Sequence, residues 1–209
     1  MKRLLVPFEE KDLVKALGAK WHRDKKIWYL TSVQHLEFFS RWLPTFEKPY
    51  LYIDFVPESA WYKNLRSELT EKEWIAIKTF IYKRAGYKCE ICGGKGDKHP
   101  VEAHERWYYD DEKFKQVLIG IDALCPSCHL STHMGLANKI GKFEEAKLHM
   151  IKINQWDENA FQIHYQESGE LWKWRSVQKW KLDATWIIDL FRDSLSNQSI
   201  SKIIKSSQN

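Results

Sequence analysis

An α+β fold is predicted by three features of the chain. Helical apolar spacing after Thr70 and over residues 143–154 alternates with short strand-like stretches at 101–107 and 116–124. All four cysteines fall in two pairs of identical spacing, Cys89-Glu-Ile-Cys92 and Cys125-Pro-Ser-Cys128. His104 lies between the pairs, and His129 and His133 follow directly on the second. The expected architecture is a small N-terminal α/β unit followed by a cysteine-stabilised finger with flanking helices.

The 209 residues suit one or two domains, and 44% hydrophobic with 29% charged residues reads as globular. The sequence contains neither an apolar run of about 18 residues nor a basic-then-apolar leader, so neither a membrane span nor a signal peptide is expected. Paired cysteines in such a chain predict metal binding in a reducing cytoplasm; two disulfides, the alternative, need an oxidising compartment. The net charge of +5 is mild. Residues 1–48 carry +4 of it, with ten Lys/Arg against six Asp/Glu, while residues 87–140 carry −1. Mild basicity is compatible with a nucleic-acid partner without requiring one. The eleven tryptophans, spread along the whole chain, are expected chiefly in packing.

Residues 1–48 read as a unit. Leu4-Leu5-Val6 is a short strand ended by Pro7, and residues 9–17 are a helix stopped by Gly18. Trp21 and Ile27-Trp28-Tyr29-Leu30 form a hairpin around the charged turn 23–26, and Ser32 caps a helix carrying Val33, Leu36, Phe39 and Trp42. Val6-Pro-Phe-Glu-Glu-Lys11, Leu17-Gly-Ala-Lys-Trp21 and Lys26-Ile-Trp-Tyr29 are together similar to a small domain of unknown function that accompanies plasmid primases and other DNA-processing proteins. The resemblance implies a DNA-handling context rather than a reaction.

Residues 49–70 connect, with a further strand expected over 51–56. Thr70 followed by Glu73 is a capping-box signature, opening a helix with Trp74, Ile77, Ile81 and Ala85 near one face and Gly86 at its end. That helix delivers the chain to Cys89. A CxxC turn points two thiolates at one place, and two such turns complete a tetrahedral sulfur site for structural Zn2+. Gly93-Gly94-Lys95-Gly96 lacks the P-loop spacing and is read as the turn that closes the knuckle. Asp110-Asp111-Glu112 sits in the loop between the two strands and is read as an exposed connection. With Pro126 in the first turn of a helix, His129 and His133 stand four apart on one face, the spacing at which two imidazoles hold one ion. His104 supplies a third ligand from the preceding hairpin.

From Tyr87 to about Ala137 the order CxxC, a strand carrying His, then Leu-Cys-x-x-Cys-His-x-x-x-His resembles the HNH endonucleases, whose core is a ββα-metal finger. The resemblance implies structural zinc on Cys89, Cys92, Cys125 and Cys128. It implies a catalytic divalent metal (Mg2+, Mn2+, Ni2+ or Zn2+) on His129 and His133, DNA as partner, and a 5′ phosphate on the product. The family's strand carries a ligand followed by a general base, where this chain has His104-Glu105. In one register His104 is the ligand and Glu105 the base. In the other His104 is the base and Ala103 takes the ligand position. The first is preferred because it leaves three protein ligands and an open coordination position. The position from which the family's Asn orients the base holds Gly120, and Asp122 is the nearest polar residue. Arg106 and Lys139 are candidates for phosphate contact.

Beyond the finger, Phe143, Ala146, Lys147 and Met150 mark a helix to about Asn154, and a second starts near Asp157 or Asn159 with Phe161, Ile163 and His164. Residues 168–180 interleave Trp172, Trp174 and Trp180 with Lys173, Arg175 and Lys179, a pattern read as packing rather than a nucleic-acid surface. His149 and His164 are taken as structural or exposed. The division expected is an accessory domain over 1–48, a linker over 49–70, an HNH nuclease domain with helical extension over 71–193, and a flexible tail over 194–209. A zinc-dependent DNA-binding module without cleavage, and an interaction protein with a structural finger, are the alternatives to a nuclease.

Overall fold

The computed structural model of the chain describes residues 2–208 except 5, 24–25, 32–38, 40–41, 43–50 and 63. In chain order its elements are β1 (Lys2–Leu4), α1 (Lys11–Ala16), β2 (Lys20–His22), β3 (Ile27–Leu30), α2 (Leu65–Glu68), α3 (Glu71–Arg84), β4 (Glu102–Asp110), β5 (Lys115–Leu124), α4 (Pro126–Thr132), α5 (Met134–Lys139), α6 (Phe143–Asn154), α7 (Glu158–Ser176), β6 (Lys181–Asp183), α8 (Trp186–Phe191) and α9 (Asn197–Gln208). The class is α+β, as the alternation of periods predicts. The elements form two compact units, Met1–Asp54 with Leu130–Gly169, and Phe55–His129 with Glu170–Asn209. Each unit draws on two separate stretches of chain, where the sequence reading places consecutive domains.

In the first unit β3 is the central strand, antiparallel to both β1 and β2. Leu4, Val14, Ala19, Leu30, Phe39 and Trp42 are buried together, with Trp28, Tyr52 and Trp156 half-buried around them. The Ser32-capped helix expected here lies outside the described residues, as do residues 24–25 of the expected turn. Residues 51–56 do not form the predicted strand. Leu51 and Ile53 are buried, but their backbone groups bond to side chains rather than to a neighbouring strand. Asn154 Nδ2 donates to Leu51 O at 2.6 Å, Leu51 N donates to Asn154 Oδ1 at 3.3 Å, and Ile53 N donates to His164 Nε2 at 3.0 Å. His164 is therefore a structural histidine, packed against the Trp156 ring at 5.2 Å.

The second unit is built on β4 and β5, antiparallel, with β6 added parallel to β5. Arg106 pairs with Gly120 and Trp107 with Leu118, so Ile119 is an extra residue that bulges β5. The bulge keeps Ala103 and Trp107 of β4 on one face with Leu118, Ile121 and Ala123 of β5, where they meet Trp74, Ile77 and Ile81 of α3. The capping box forms as predicted, Thr70 and Glu73 satisfying each other's backbone N–H groups. Glu73 does more than cap. Its carboxylate also accepts from Ser196 N at 2.6 Å and Ser199 Oγ at 2.8 Å.

Those bonds explain a correction at the C-terminus. Residues 197–208, expected to fray, form the helix α9, with Ile203 fully buried. The Ser-rich composition conceals a one-sided stripe of Ile200 and Ile203, and Ser196 Oγ caps the helix by accepting from Ser199 N at 3.2 Å.

One charge reading changes. Asp111 is not a free surface carboxylate but pairs bidentately with Arg175, Nε to Oδ1 and Nη2 to Oδ2, each 3.0 Å. Arg175 is itself buried, and its guanidinium lies 4.7 Å from the centre of the Tyr109 ring. Trp180 Nε1 donates to Arg175 O and Trp172 Nε1 to Val56 O, so these residues of the aromatic-basic run serve packing, whereas Trp174, Lys173 and Lys179 are exposed. No helix among the described residues is long and apolar enough to cross a membrane.

Candidate metal centres

The sulfurs of Cys89, Cys92, Cys125 and Cys128 lie within 4.8 Å of one another, and all four cysteines are free thiols. Cys92 Sγ and Cys125 Sγ are 3.6 Å apart, far beyond a disulfide bond. A tetrahedral ion with metal–sulfur bonds of about 2.3 Å sets its sulfurs about 3.8 Å apart, so the spacing is that of a metal site.

The chain closes the knuckle with glycine for a steric reason. Gly93 adopts φ +73°, and the turn is fixed by Gly93 N to Cys89 O and Cys89 N to Gly94 O. Gly94 N donates to Cys92 Sγ at 3.3 Å. The knuckle is fastened to the hairpin through Glu90, whose Oε2 accepts from Ala123 N at 2.7 Å and from Arg84 Nη2 at 2.5 Å. The thiols influence one another strongly. Hydrogen bonds from Cys125 and Cys128 hold Cys89 far below the usual thiol range. Cys128 draws Cys125 down, but Cys89 and burial push it up to about 11. Cys125 and Cys89, then burial, raise Cys128 as well. Of these three only Cys89 is favoured as thiolate without a cation; a divalent ion would supply the positive charge that lets its neighbours ionise as ligands.

A second cluster stands on the face of β4 and β5 opposite the apolar core. Ligand nitrogens of His104, His129 and His133 lie within 4.8 Å of one another. His104 is buried on β4, and its ring meets that of His129 edge-on at 5.4 Å. Pro126 opens α4 as expected, and His133 follows one turn after His129 on the same run of chain, at the start of α5.

Glu102 is a site residue that the sequence reading missed. Two residues before His104 on β4, it shares that face. One carboxylate oxygen accepts from His129 Nδ1 and the other from His99 Nε2. A carboxylate behind a histidine ligand is a standard way to fix its tautomer and orientation, so strand alternation was the signal available. Burial lowers the pKa of His129, against the opposing pull of Glu102.

Glu105 falls outside the histidine cluster. Alternation along β4 turns it to the core face, where its Oε2 accepts from Trp107 Nε1 at 3.2 Å. Asp122 lies directly opposite His104 in the register, on the same face, and Arg106 Nε pairs with its Oδ2 at 3.2 Å. Burial raises the pKa of Asp122, while Arg106 lowers it. A Cβ on Gly120 would come 2.9 Å from Arg106 Nη2, so the glycine leaves room for the Arg106 guanidinium across the hairpin. Lys139 is exposed at the end of α5.

Residues 1–44 match a family model described as Domain of unknown function (DUF5710), over the segment whose sequence resembles a small domain of unknown function. No curated protein and no solved structure matches the chain.

Proposed function

We propose that this chain is a metal-dependent endonuclease of the HNH type acting on DNA, with structural zinc on Cys89, Cys92, Cys125 and Cys128. The observation that carries the reading is the convergence of His104, His129 and His133 within 4.8 Å, on a hairpin and helix joined to a four-cysteine cluster. Three imidazoles suit Mg2+ less well than Mn2+, Ni2+ or Zn2+. A divalent ion held there would supply Lewis acidity to the phosphodiester.

The protein's own part is to hold the three imidazoles, to fix His129 through Glu102, and to accept a proton. Water adds its oxygen to phosphorus and gives its proton to a carboxylate. The P–O3′ bond breaks with its electron pair going to O3′, which takes a proton from solvent, leaving a 5′ phosphate and a 3′ hydroxyl. Two carboxylates compete for that proton: Glu105, next to the ligand in sequence but on the core face, and Asp122, opposite His104 on the histidine face. Single-turnover nicking by Glu105→Gln and Asp122→Asn decides between them. The base's variant loses about 10²–10⁴-fold while retaining metal, and the other loses little.

A second reading rests on the core-facing position of Glu105. A zinc-stabilised DNA-binding module without cleavage has the same cysteines and needs no base. Sequence-independent DNA binding, with no nicking under any divalent ion, would establish it.

A further inference from the structure

The first unit holds an open cleft of about 1160 Å3, between α1 and the sheet of β1, β3 and β2, well away in sequence from both metal clusters. It is somewhat larger than the usual small-molecule pocket, which runs to about 1,000 Å3. Four lysines line it, Lys11, Lys15, Lys20 and Lys26. Asp12 is the single acidic side chain among the described lining residues, and it pairs with Lys11 at 3.8 Å. The cleft therefore suits an anion.

Its rings narrow the choice. Phe8 is 75% exposed and Trp21 49% exposed, and both line the cleft. Trp21 leans on Trp28 of the neighbouring strand, ring centres 5.4 Å apart, which fixes its orientation without covering it. Lys11 Nζ stands 4.0 Å over the Phe8 ring, so charge and ring are presented together. Exposed rings beside ammonium groups match a ligand that alternates flat apolar faces with anions. A duplex keeps its base faces stacked inside, and an acidic peptide has no faces to offer. A single strand presents both bases and phosphates.

We propose that this cleft binds single-stranded nucleic acid, one base stacking on Trp21 and the lysines pairing with phosphates. The proposal goes beyond the nuclease reading and stands on separate residues. Its readout is binding without added divalent ion, so failure of cleavage and failure of this site are seen independently.

The test uses the full chain with fluorescent oligothymidine and oligouridine of about 12 nucleotides, and a duplex of equal length, followed by anisotropy and tryptophan quenching. The two single strands distinguish DNA from RNA as the source of the shared chemistry. The single strands should bind more tightly than the duplex. Trp21→Ala should weaken them about 5- to 150-fold, the worth of one stacked base, with Trp21→Phe restoring most of the loss. Lys15→Glu with Lys20→Glu, both on exposed positions, should lower affinity and flatten its salt dependence. Unchanged binding in the Trp21→Ala and the lysine variants, both with wild-type circular dichroism, would overturn the proposal. So would a preference for duplex, or displacement of the oligonucleotide by polyglutamate at equal charge.

Discussion

Glu102 accepts from His129 Nδ1, so that under the proposed function Nε2 is the nitrogen this ring would offer to an ion shared with His104 and His133. The same carboxylate holds His99 with its other oxygen, so it is itself fixed in place. Glu102→Gln should weaken metal binding at the histidines about 10- to 100-fold, as loss of a ligand's supporting carboxylate does elsewhere. Competition titration with Ni2+ or Mn2+ measures it. The zinc content of the cysteine site should not change, because Glu102 touches none of those sulfurs.

Metal content is the next check. Purified protein should carry one zinc per chain that resists mild chelation, and Cys125→Ser should lose both the zinc and the fold of the finger, since structural zinc binding is folding free energy. Elemental analysis that finds folded protein without metal on the cysteines would contradict this.

Glu73 predicts an acid limb in stability. Burial alone would raise its pKa, but bonds from Ser196 N, Thr70 N, Ser199 Oγ and Thr70 Oγ1 prevail and hold it at about 2, below its ordinary 4.5. A depressed carboxylate stabilises the fold fully above pH 4.5, and the contribution disappears as pH falls through about 2. Chemical denaturation of Glu73→Gln across that window should show a flatter pH dependence than wild type. At neutral pH the variant should be less stable, by about 1–3 kcal/mol for the weakened buried bonds.

The C-terminal helix is structural. Ile203 is fully buried, so Ile203→Ala should cost about 2–5 kcal/mol by the cavity it leaves, read as a fall in the denaturation midpoint. Exposed Lys205 should tolerate substitution within about 0.5 kcal/mol.

Features that are local in sequence were legible before the fold was known. Thr70 and Glu73 announced their helix because a capping box is a contact between residues three apart. The CxxC pairs and the His129–His133 spacing announced their clusters for the same reason. What was not legible depends on partners distant in the chain. Residues 51–56 look like a strand, but the backbone of Leu51 and Ile53 bonds to Asn154 and His164, more than 100 positions away. The polar tail became a helix because Glu73, 126 residues upstream of Ser199, receives its first turn. The face on which Glu105 lies was readable from alternation, whereas the opposition of Asp122 to His104 required the register of the hairpin.

Plasmid nicking across Mg2+, Mn2+, Ni2+ and Zn2+, by wild type and by His104→Ala and His133→Ala, tests the proposed cleavage most directly. The account predicts nicking by wild type with at least one of these ions, and products carrying 5′ phosphates. Both variants should lose activity together with the exchangeable metal, while keeping the cysteine-bound zinc. Nicking that survives both substitutions, or a wild type that cleaves nothing with any of the four ions, would contradict it.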